Sequence, residues 1–377
     1  MSRLRPFLKN LDQDPVAAAD ALMSHVYGFH ASSTWQPAPL ADNKSRYLWT
    51  DAFGVVNYIS LYKQTNEKRY LDQAAALISS VHNILGRQRP GGAHAARLNG
   101  ATDQHPTLGG LRIGKIHEEG HPDGDGQYFH YLTKWAFALN RMAVVTGDVQ
   151  YNTWAAELMA SAHPHFVHTT EQQQKHIYWK MSIDLTRPAV PSEGNLDPFD
   201  GLVTVKIIRA LDPTVLAQEE EDFRGMVNHK VRRYQASDDP LDLGEALWLA
   251  HWGWDGGDDG DDVAHPQDVA WSKCIAKQSL KTLKMLWENS YFEASSGYRL
   301  AFREFGTTLG VQMLKDDNGG GGEEDVWIGQ IREWKRQRVP RLHSYWAGHV
   351  LDRDQDITPV MMASSLLAGG AWKNGFL

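Results

Sequence analysis

Two stretches of the chain repeat one pattern: Thr65-Asn-Glu-Lys-Arg-Tyr-Leu-Asp-Gln-Ala-Ala-Ala-Leu-Ile78 and Thr146-Gly-Asp-Val-Gln-Tyr-Asn-Thr-Trp-Ala-Ala-Glu-Leu-Met159. The tyrosine, the alanine pair and the leucine occupy the same places in both. Each copy predicts a short turn followed by an amphipathic helix. A helix–turn–helix unit that recurs cannot bury its apolar face alone, so it must stack on its neighbours.

Helical periodicity continues along the rest of the chain, and no convincing series of alternating strands is found. The segments before the two repeats, 48–64 and 126–145, are apolar on more than one side, which predicts inner helices covered by outer ones. The pattern predicts twelve helices, at 15–28, 48–64, 67–85, 126–145, 148–165, 199–211, 214–233, 241–253, 266–289, 299–314, 324–338 and 358–371. If the first and last helices pair, the twelve form a ring of six hairpins in one domain spanning 1–377.

Composition excludes several classes of partner. The 377 residues are 42% hydrophobic and 22% charged, as in a globular protein, and the net charge of −8 argues against nucleic-acid binding. The longest apolar runs are too short to cross a membrane, and the N-terminus has no signal-peptide core. The single cysteine, Cys274, excludes an internal disulfide, so we expect a cytoplasmic location. The oligomeric state is left open.

Twelve helices in two layers, joined by Thr-Gly-Asp-x-x-Tyr turns, resemble the all-α (α/α)6 toroid of the six-hairpin glycosidase-like superfamily. Two segments, Asp125–Trp135 and Tyr178–Pro188, are most similar to an uncharacterised microbial family within it, together with Pro191-Ser192 and Asp197–Leu202. The resemblance implies a carbohydrate-active enzyme with a small sugar or oligosaccharide as its substrate. It implies acid/base chemistry without an organic cofactor, and glycoside hydrolysis is our first hypothesis.

Glycoside hydrolysis requires two carboxylates on either side of the scissile bond, one of them protonated as the general acid. In such a toroid, the loops that lead into the inner helices surround the substrate funnel. Asp125 and Asp200 are our candidates for the pair because each stands at the start of an inner helix. Asp51 is predicted to position the substrate. For Asp51 and Asp200 the alternative is a carboxylate that stabilises the helix N-terminus.

A sugar isomerase or epimerase is the alternative class of enzyme. Its proton carrier would be a histidine that titrates near neutral pH. His130 and His251 are the candidates, and His343 is a third histidine near a predicted helix, although a helical histidine is more often a core residue. The third hypothesis is a non-catalytic sugar-binding toroid in which the acids only bind hydroxyls.

Fourteen tryptophans support a sugar ligand, since an indole offers a flat face to the C–H side of a pyranose and an N–H to its hydroxyls. Bulky core packing is the alternative for each of them. Trp179 and Trp254 stand in polar loops and are the better candidates for stacking. The other predicted substrate-binding residues are Tyr128, Lys180, Asp184, Glu193, Glu245 and His251.

An acidic loop and the single cysteine are two further candidates for a metal or catalytic site. Asp255–Asp262 holds five aspartates in eight residues, but it lacks the spacing of a calcium loop. A solvated acidic loop is favoured there, and a cation site is the alternative. Cys274 has no neighbouring histidine and is predicted to pack in a helix. We therefore predict neither a metal nor an organic cofactor.

Overall fold

The computed structural model describes residues 4–11, 13–29, 34–89, 95–254, 266–316 and 323–371. Contacts between residues divide the chain into two compact units. The internal unit is Val26–Val227, and the terminal unit joins Met1–His25 to Asn228–Leu377. The single domain over 1–377 stays a prediction. Among the described residues, no helix has the length and apolar character that a membrane crossing requires.

Helices dominate both units. In chain order they are α1 (Arg5–Leu8), α2 (Pro15–Tyr27), α3 (Leu48–Thr65), α4 (Arg69–Ile84), α5 (Phe129–Thr146), α6 (Val149–Phe166), α7 (Asp197–Leu211), α8 (Ala217–Lys230), α9 (Pro240–Trp254), α10 (Pro266–Glu288), α11 (Ala301–Met313), α12 (Glu323–Glu333), α13 (Val339–Ala347) and α14 (Ile357–Leu366). A π-helical turn, Trp334–Arg338, joins α12 to α13. Each of the twelve predicted ranges contains a helix, so the prediction of helical structure is confirmed.

The predicted helix boundaries are wrong in two places. The helix expected to begin at position 126 begins at Phe129, because Gln127–Tyr128 form a strand. The helix α13 was not predicted, since Pro340 interrupts the helical pattern. The structure places this proline in the first turn of α13. A proline is tolerated there because the first N–H groups of a helix have no partner within it.

Five short strands lie in the internal unit. They are β1 (Gln127–Tyr128), β2 (Val167–Thr169), β3 (Lys175–Ile177), β4 (Lys180–Met181) and β5 (Pro188–Val190). Antiparallel pairing gives a sheet with the order β1-β4-β5 and a separate β2–β3 hairpin. Strands of two or three residues are too short to show alternation in the sequence, which is why they were not predicted.

The sequence repeat forms matching ends on two buried helices. Both α3 and α5 are 18 residues long, and both are buried along most of their length. Thr65 Oγ1 donates to the carbonyl of the fourth residue before it at 2.8 Å, and Thr146 Oγ1 does the same at 2.7 Å. Asn66 and Gly147 follow in the left-handed conformation, with φ of 59° and 74°. The prediction that the repeat marks equivalent turns is therefore confirmed.

In the terminal unit, α9 and α11 approach so closely that three glycines are required. A Cβ atom on Gly244 would lie 2.1 Å from the Gly306 carbonyl oxygen, and one on Gly310 would lie 2.0 Å from the Gly244 carbonyl oxygen. Thr307 Oγ1 donates to the Pro240 carbonyl oxygen at 2.6 Å across the same contact. The backbones themselves form this interface, so no side chain can yield to an added methyl group.

Gly244→Ala is expected to lower the free energy of unfolding by roughly 1–3 kcal/mol, because the added methyl group must push two helices apart. The matched control is Gly329→Ala in α12, where a Cβ would meet no atom within 4 Å. Alanine is a better helix former than glycine, so that control should be neutral or more stable by about 0.5–1 kcal/mol. Chemical denaturation measures both. Equal stability of the two variants would contradict the close contact.

Candidate functional site

The N-terminal ends of α3, α5 and α7 lie side by side in the internal unit. Near the start of α3, the ring of Trp49 lies 6.1 Å from the ring of His130, centre to centre. His130 is in the first turn of α5. Further along that turn, Thr133 Oγ1 donates to Asp200 Oδ2 at 2.7 Å, and Asp200 is in the first turn of α7. Three of the predicted inner helices therefore present their starts to one region.

The small sheet brings Trp179 to this region. In the pairing of β1 with β4, Tyr128 lies opposite Lys180, and the backbone N–H of Phe129 donates to the Trp179 carbonyl oxygen at 3.2 Å. The rings of Tyr128 and Trp179 consequently stack, with centres 5.3 Å apart and planes 26° from parallel. The sequence predicted both residues as sugar contacts, and the structure brings them together.

Tyr128, His130 and Trp179 form a layer that we call the aromatic platform. The His130 ring is nearly parallel to both neighbours, at 24° to Tyr128 and 17° to Trp179. Trp179 is 37% exposed, and the other two side chains are half-buried. Tyr131 packs edge-on against His130, with ring centres 4.8 Å apart. The platform thus combines flat apolar faces with polar atoms that solvent can reach.

His130 is held in a defined hydrogen-bonding state. Its Nδ1 accepts a hydrogen bond from Trp179 Nε1 at 3.2 Å, so the ring hydrogen resides on Nε2. Burial, with a contribution from the Lys134 ammonium, lowers the pKa of His130 to about 3. Asp197 Oδ1 lies 4.0 Å from Nδ1. At neutral pH the imidazole is therefore uncharged and offers Nε2–H as a hydrogen-bond donor.

Polar groups border the platform on the side of Tyr131. The hydroxyls of Tyr47 and Tyr131 are 2.6 Å apart. Lys115 Nζ lies 5.6 Å from the centre of the Tyr47 ring and forms an ion pair with Asp123 Oδ1 at 2.8 Å. That ion pair lowers the pKa of the exposed Asp123 carboxyl, so this carboxylate stays ionised. Sequence reasoning missed these groups because contacts between residues far apart in the chain leave no local pattern.

Asp125 is saturated with donors. Its Oδ2 accepts from Arg112 at 2.5 Å and from Arg89 at 2.9 Å. Its Oδ1 accepts from three backbone N–H groups, those of Gly114, Lys115 and Gly126. The side chain has no exposed surface. This geometry argues against the predicted role of general acid, since a substrate cannot reach either oxygen and five protein donors already bond them.

The loop around Asp125 also depends on Gly114. This residue has a φ of +92°, and a Cβ atom on it would lie 2.2 Å from the Arg46 carbonyl oxygen. Gly114 therefore lets the backbone pass close to Arg46 while its N–H donates to the Asp125 carboxylate at 2.9 Å. The carboxylate in turn holds the chain that leads into α5.

Asp51 is equally inaccessible. Its Oδ2 accepts from the backbone N–H of Tyr47 at 3.1 Å, and its Oδ1 lies 3.5 Å from Arg46 Nη1. Neither charged side chain is more than 1% exposed. Burial raises the pKa of Tyr27 well above its usual value, and the charge of Asp51 adds to the effect. These contacts match the alternative in which Asp51 stabilises the start of α3.

Asp200 forms a buried ion pair with Lys134. Both of its oxygens lie 2.6 Å from Lys134 Nζ, and the two side chains are 1% and 6% exposed. A carboxylate in this position is held in its charged form, which a general acid cannot be. The geometry therefore favours a structural role for Asp200 at the mouth of α7, and a catalytic role has no support from its contacts.

The terminal unit has a carboxylate of the same type that the sequence did not single out. Glu304 is fully buried in the first turn of α11, where Arg299 donates to its two oxygens at 2.7 and 2.5 Å. Trp346 Nε1 also donates to Oε2 at 2.8 Å. Burial raises the pKa of Glu304, and these donors oppose the rise.

The other residues of the internal unit that were predicted to bind substrate form hydrogen bonds within the protein. Lys180 is buried, and its Nζ donates to the Gly124 carbonyl oxygen at 2.6 Å while lying 5.2 Å from the Tyr128 ring centre. Glu193 Oε2 accepts from the backbone N–H of Ile177 at 3.1 Å. Asp184 accepts from Ser182 Oγ at 2.6 Å and closes a turn. Lys180 therefore supports the platform from beneath, and the two acids shape the loops beside it.

Four predicted residues belong to the terminal unit, and the side chains of three of them are described. Glu245 is half-buried on α9, and His251 is buried on the same helix with Nδ1 bonded to the Trp248 carbonyl oxygen. His343 Nε2 lies 2.7 Å from Ser365 Oγ, and burial lowers the pKa of His343 to about 4. The side chain of Trp254 and the loop Asp255–Asp262 lie outside the described residues. Within the described parts of the chain, no group of three or more His, Cys, Asp or Glu side chains is placed to hold a metal ion.

Solved structures of carbohydrate enzymes resemble this chain. The GH76A α-1,6-mannanase from Salegentibacter sp. HEL1_6 aligns over 93% of this chain and 98% of its own, with a TM-score of 0.53 and 11% identity. A family 76 glycoside hydrolase from a bovine Bacteroides thetaiotaomicron strain aligns over 96% and 77%, with a TM-score of 0.54 and 11% identity. A D-mannose isomerase aligns over 85% and 84%, with a TM-score of 0.47 and 12% identity.

These alignments show the fold of the chain. The first two confirm the predicted fold class, an all-α (α/α)6 toroid. At 11% identity they assign no residue a role. No protein-family model and no curated protein matches the chain.

Replacing Asp125 by Asn tests whether this carboxylate is structural. Asp125→Asn leaves Arg89 and Arg112 without their buried counter-charge, so it is expected to lower the free energy of unfolding by roughly 3–5 kcal/mol. Asp123→Asn is the control, because its ion pair is exposed and contributes about 1 kcal/mol or less. Chemical denaturation measures both. An Asp125→Asn protein as stable as the wild type would contradict the structural role.

Proposed function

We propose that the protein is a carbohydrate-active enzyme and that the aromatic platform binds a sugar ring. The observation that carries this proposal is the stack of Tyr128, His130 and Trp179 at the meeting point of three helix N-termini. Aromatic rings in a core pack on both faces, whereas Trp179 leaves more than a third of its surface to solvent. An exposed face of this kind, beside the N-termini of three helices, fits the C–H face of a pyranose.

The polar groups beside the platform suit a neutral, hydroxyl-rich ligand. His130 Nε2–H donates, the Tyr47 and Tyr131 hydroxyls both donate and accept, and Asp197 accepts. The nearby cation, Lys115, is already neutralised by Asp123. A sugar can form hydrogen bonds with both the donors and the acceptors of this site, because each sugar hydroxyl is at once a donor and an acceptor.

Glycoside hydrolysis is the reaction that we propose. The two aligned structures with TM-scores above 0.5 are a GH76A α-1,6-mannanase and a family 76 glycoside hydrolase. Of the carboxylates near the platform, Asp123 is ionised and exposed, while Asp197 is buried, with Oδ2 accepting from the Gly194 N–H at 3.0 Å and Oδ1 4.0 Å from His130 Nδ1. Hydrolysis uses two carboxylates, one as base or nucleophile and the other as acid. We propose Asp123 and Asp197 for these roles, in place of Asp125 and Asp200.

The isomerase hypothesis has less support from the site. A histidine that carries protons between sugar carbons needs a pKa near the working pH. His130, with a pKa of about 3, remains unprotonated there and is a weak base. Its Nδ1 is also occupied by Trp179. A non-catalytic sugar-binding protein would use the same platform, so turnover is the measurement that separates it from an enzyme.

The test supplies α-1,6-linked mannan and mannobiose to the protein and measures released reducing ends and, separately, conversion of mannose to a ketose. Hydrolysis predicts new reducing ends and no ketose. Trp179→Ala is expected to weaken mannobiose binding by roughly tenfold, because aromatic packing contributes about 0.5–1.5 kcal/mol beyond the buried area. Asp123→Asn and Asp197→Asn should each lower turnover and leave binding largely intact.

Tyr298→Ala is the control for the loss of an aromatic side chain, since Tyr298 is 88% exposed in the terminal unit. Equal binding by the Trp179→Ala and Tyr298→Ala variants would show that the platform is not the sugar site. Ketose formation without new reducing ends would replace hydrolysis by isomerisation. Sugar binding with neither new reducing ends nor ketose would support the hypothesis of a non-catalytic sugar-binding protein.

A further inference from the structure

Trp49 lies at the edge of the aromatic platform but is not part of its exposed layer. It is the second residue of α3 and only 4% exposed. Its ring centre lies 5.3 Å from that of Tyr131 and 6.1 Å from that of His130. On its other side it contacts Phe53, with ring centres 5.1 Å apart. The indole is therefore buried among aromatic rings, next to the groups that would surround a sugar.

The indole N–H of Trp49 is buried and has no hydrogen-bond partner among the described residues. The other tryptophans of the internal unit all donate: Trp35 to Gly28, Trp135 to His82, Trp154 to Gln104 and Trp179 to His130. Buried donors are nearly always bonded in folded proteins, and an indole can only donate. The partner that Trp49 lacks must therefore be an acceptor atom.

The surroundings favour an uncharged acceptor. Aromatic rings enclose the indole, and His130 is neutral at physiological pH. The nearby charges, Lys134 and Asp200, already neutralise each other at 2.6 Å. An anion placed here would lose its hydration without gaining a counter-ion, whereas a hydroxyl oxygen loses little. The acceptor is thus of the kind that sugars carry.

We propose that sugar binding opens the aromatic cover over Trp49 Nε1–H, which is buried in this structure, so that it donates a hydrogen bond to one hydroxyl oxygen of the sugar and selects for a hydroxyl at that ring position. The proposal rests on the proposed function, because it needs a sugar on the platform. This role in specificity differs from stacking. The platform packs against the C–H face of any pyranose, whereas Trp49 recognises the hydroxyl at one ring position.

The first test follows the indole N–H signals of the 15N-tryptophan-labelled protein by NMR during titration with α-1,6-mannobiose. The Trp49 signal, assigned by its loss in Trp49→Phe, should move downfield with the same dissociation constant as the Trp179 signal. A shift of Trp179 with no shift of Trp49 overturns the inference and leaves the proposed function intact. It would mean that Trp49 is bonded to a retained water or to nothing. No shift of either signal overturns both.

The second test measures the affinity of Trp49→Phe for mannobiose and for its monodeoxy derivatives. Loss of one neutral hydrogen bond should weaken binding of the parent sugar by about 2- to 12-fold. That loss should vanish for the single derivative that lacks the recognised hydroxyl. An equal loss with every derivative would mean that Trp49 only packs. Trp154→Phe is the matched control, since it removes an indole on α6 that donates to the Gln104 carbonyl oxygen, and it should leave affinity unchanged. If Trp49→Phe does not fold, the Trp49 signal is assigned from its nuclear Overhauser contacts to Phe53 and Tyr131, and the titration of the wild-type protein still decides.

Discussion

A buried carboxylate paired with a cation at the start of a helix is the interaction on which the rest of the structure depends. It occurs three times, each time at the fourth residue of the helix: Asp51 with Arg46 in α3, Asp200 with Lys134 in α7, and Glu304 with Arg299 in α11. The helix N-terminus favours a negative charge, but a carboxylate without exposed surface also needs a counter-ion. Removing one partner from such a pair typically costs about 3–5 kcal/mol, so each pair commits its helix to one position. In the internal unit, the ion pairs of α3 and α7 therefore help to position the residues of the platform.

Buried ion pairs of this kind also bear on which carboxylates can take part in acid/base catalysis. Carboxylates at helix mouths are common catalytic groups in principle, yet Asp51, Asp125 and Asp200 all have their oxygens engaged by buried donors. Under the proposed function, the reacting groups lie at the border of the buried layer, where Trp179 and Asp123 reach solvent and His130 is only partly covered. This division is physically sensible, because a charge fixed by several donors resists the change of protonation that acid catalysis needs. The fold thus separates acids that hold the site from acids that can act in it.

The sequence was sufficient for the architecture and insufficient for the site. The repeat at Thr65 and Thr146 predicted equivalent helix ends because its hydrogen bonds are local, within four residues. The structural roles of Asp125 and Asp200 could not be predicted from the sequence, because their ion-pair partners are distant in the chain. Arg89 precedes Asp125 by 36 residues, and Lys134 precedes Asp200 by 66. The Tyr47–Tyr131 contact spans 84 residues. Tyr128, His130 and Trp179 were predicted individually, but their stacking depends on a strand pair too short to leave a pattern.

The central claim is that the sugar lies on the aromatic platform while the buried carboxylates hold the helices beneath it. A crystal structure of the protein soaked with α-1,6-mannobiose tests it most directly. The account predicts a pyranose ring within about 4 Å of the faces of Tyr128 or Trp179. It also predicts that Asp125 keeps its bonds to Arg89 and Arg112. A sugar bound in the terminal unit, or one that bonds Asp125 or Asp200 directly after their ion pairs open, would contradict it.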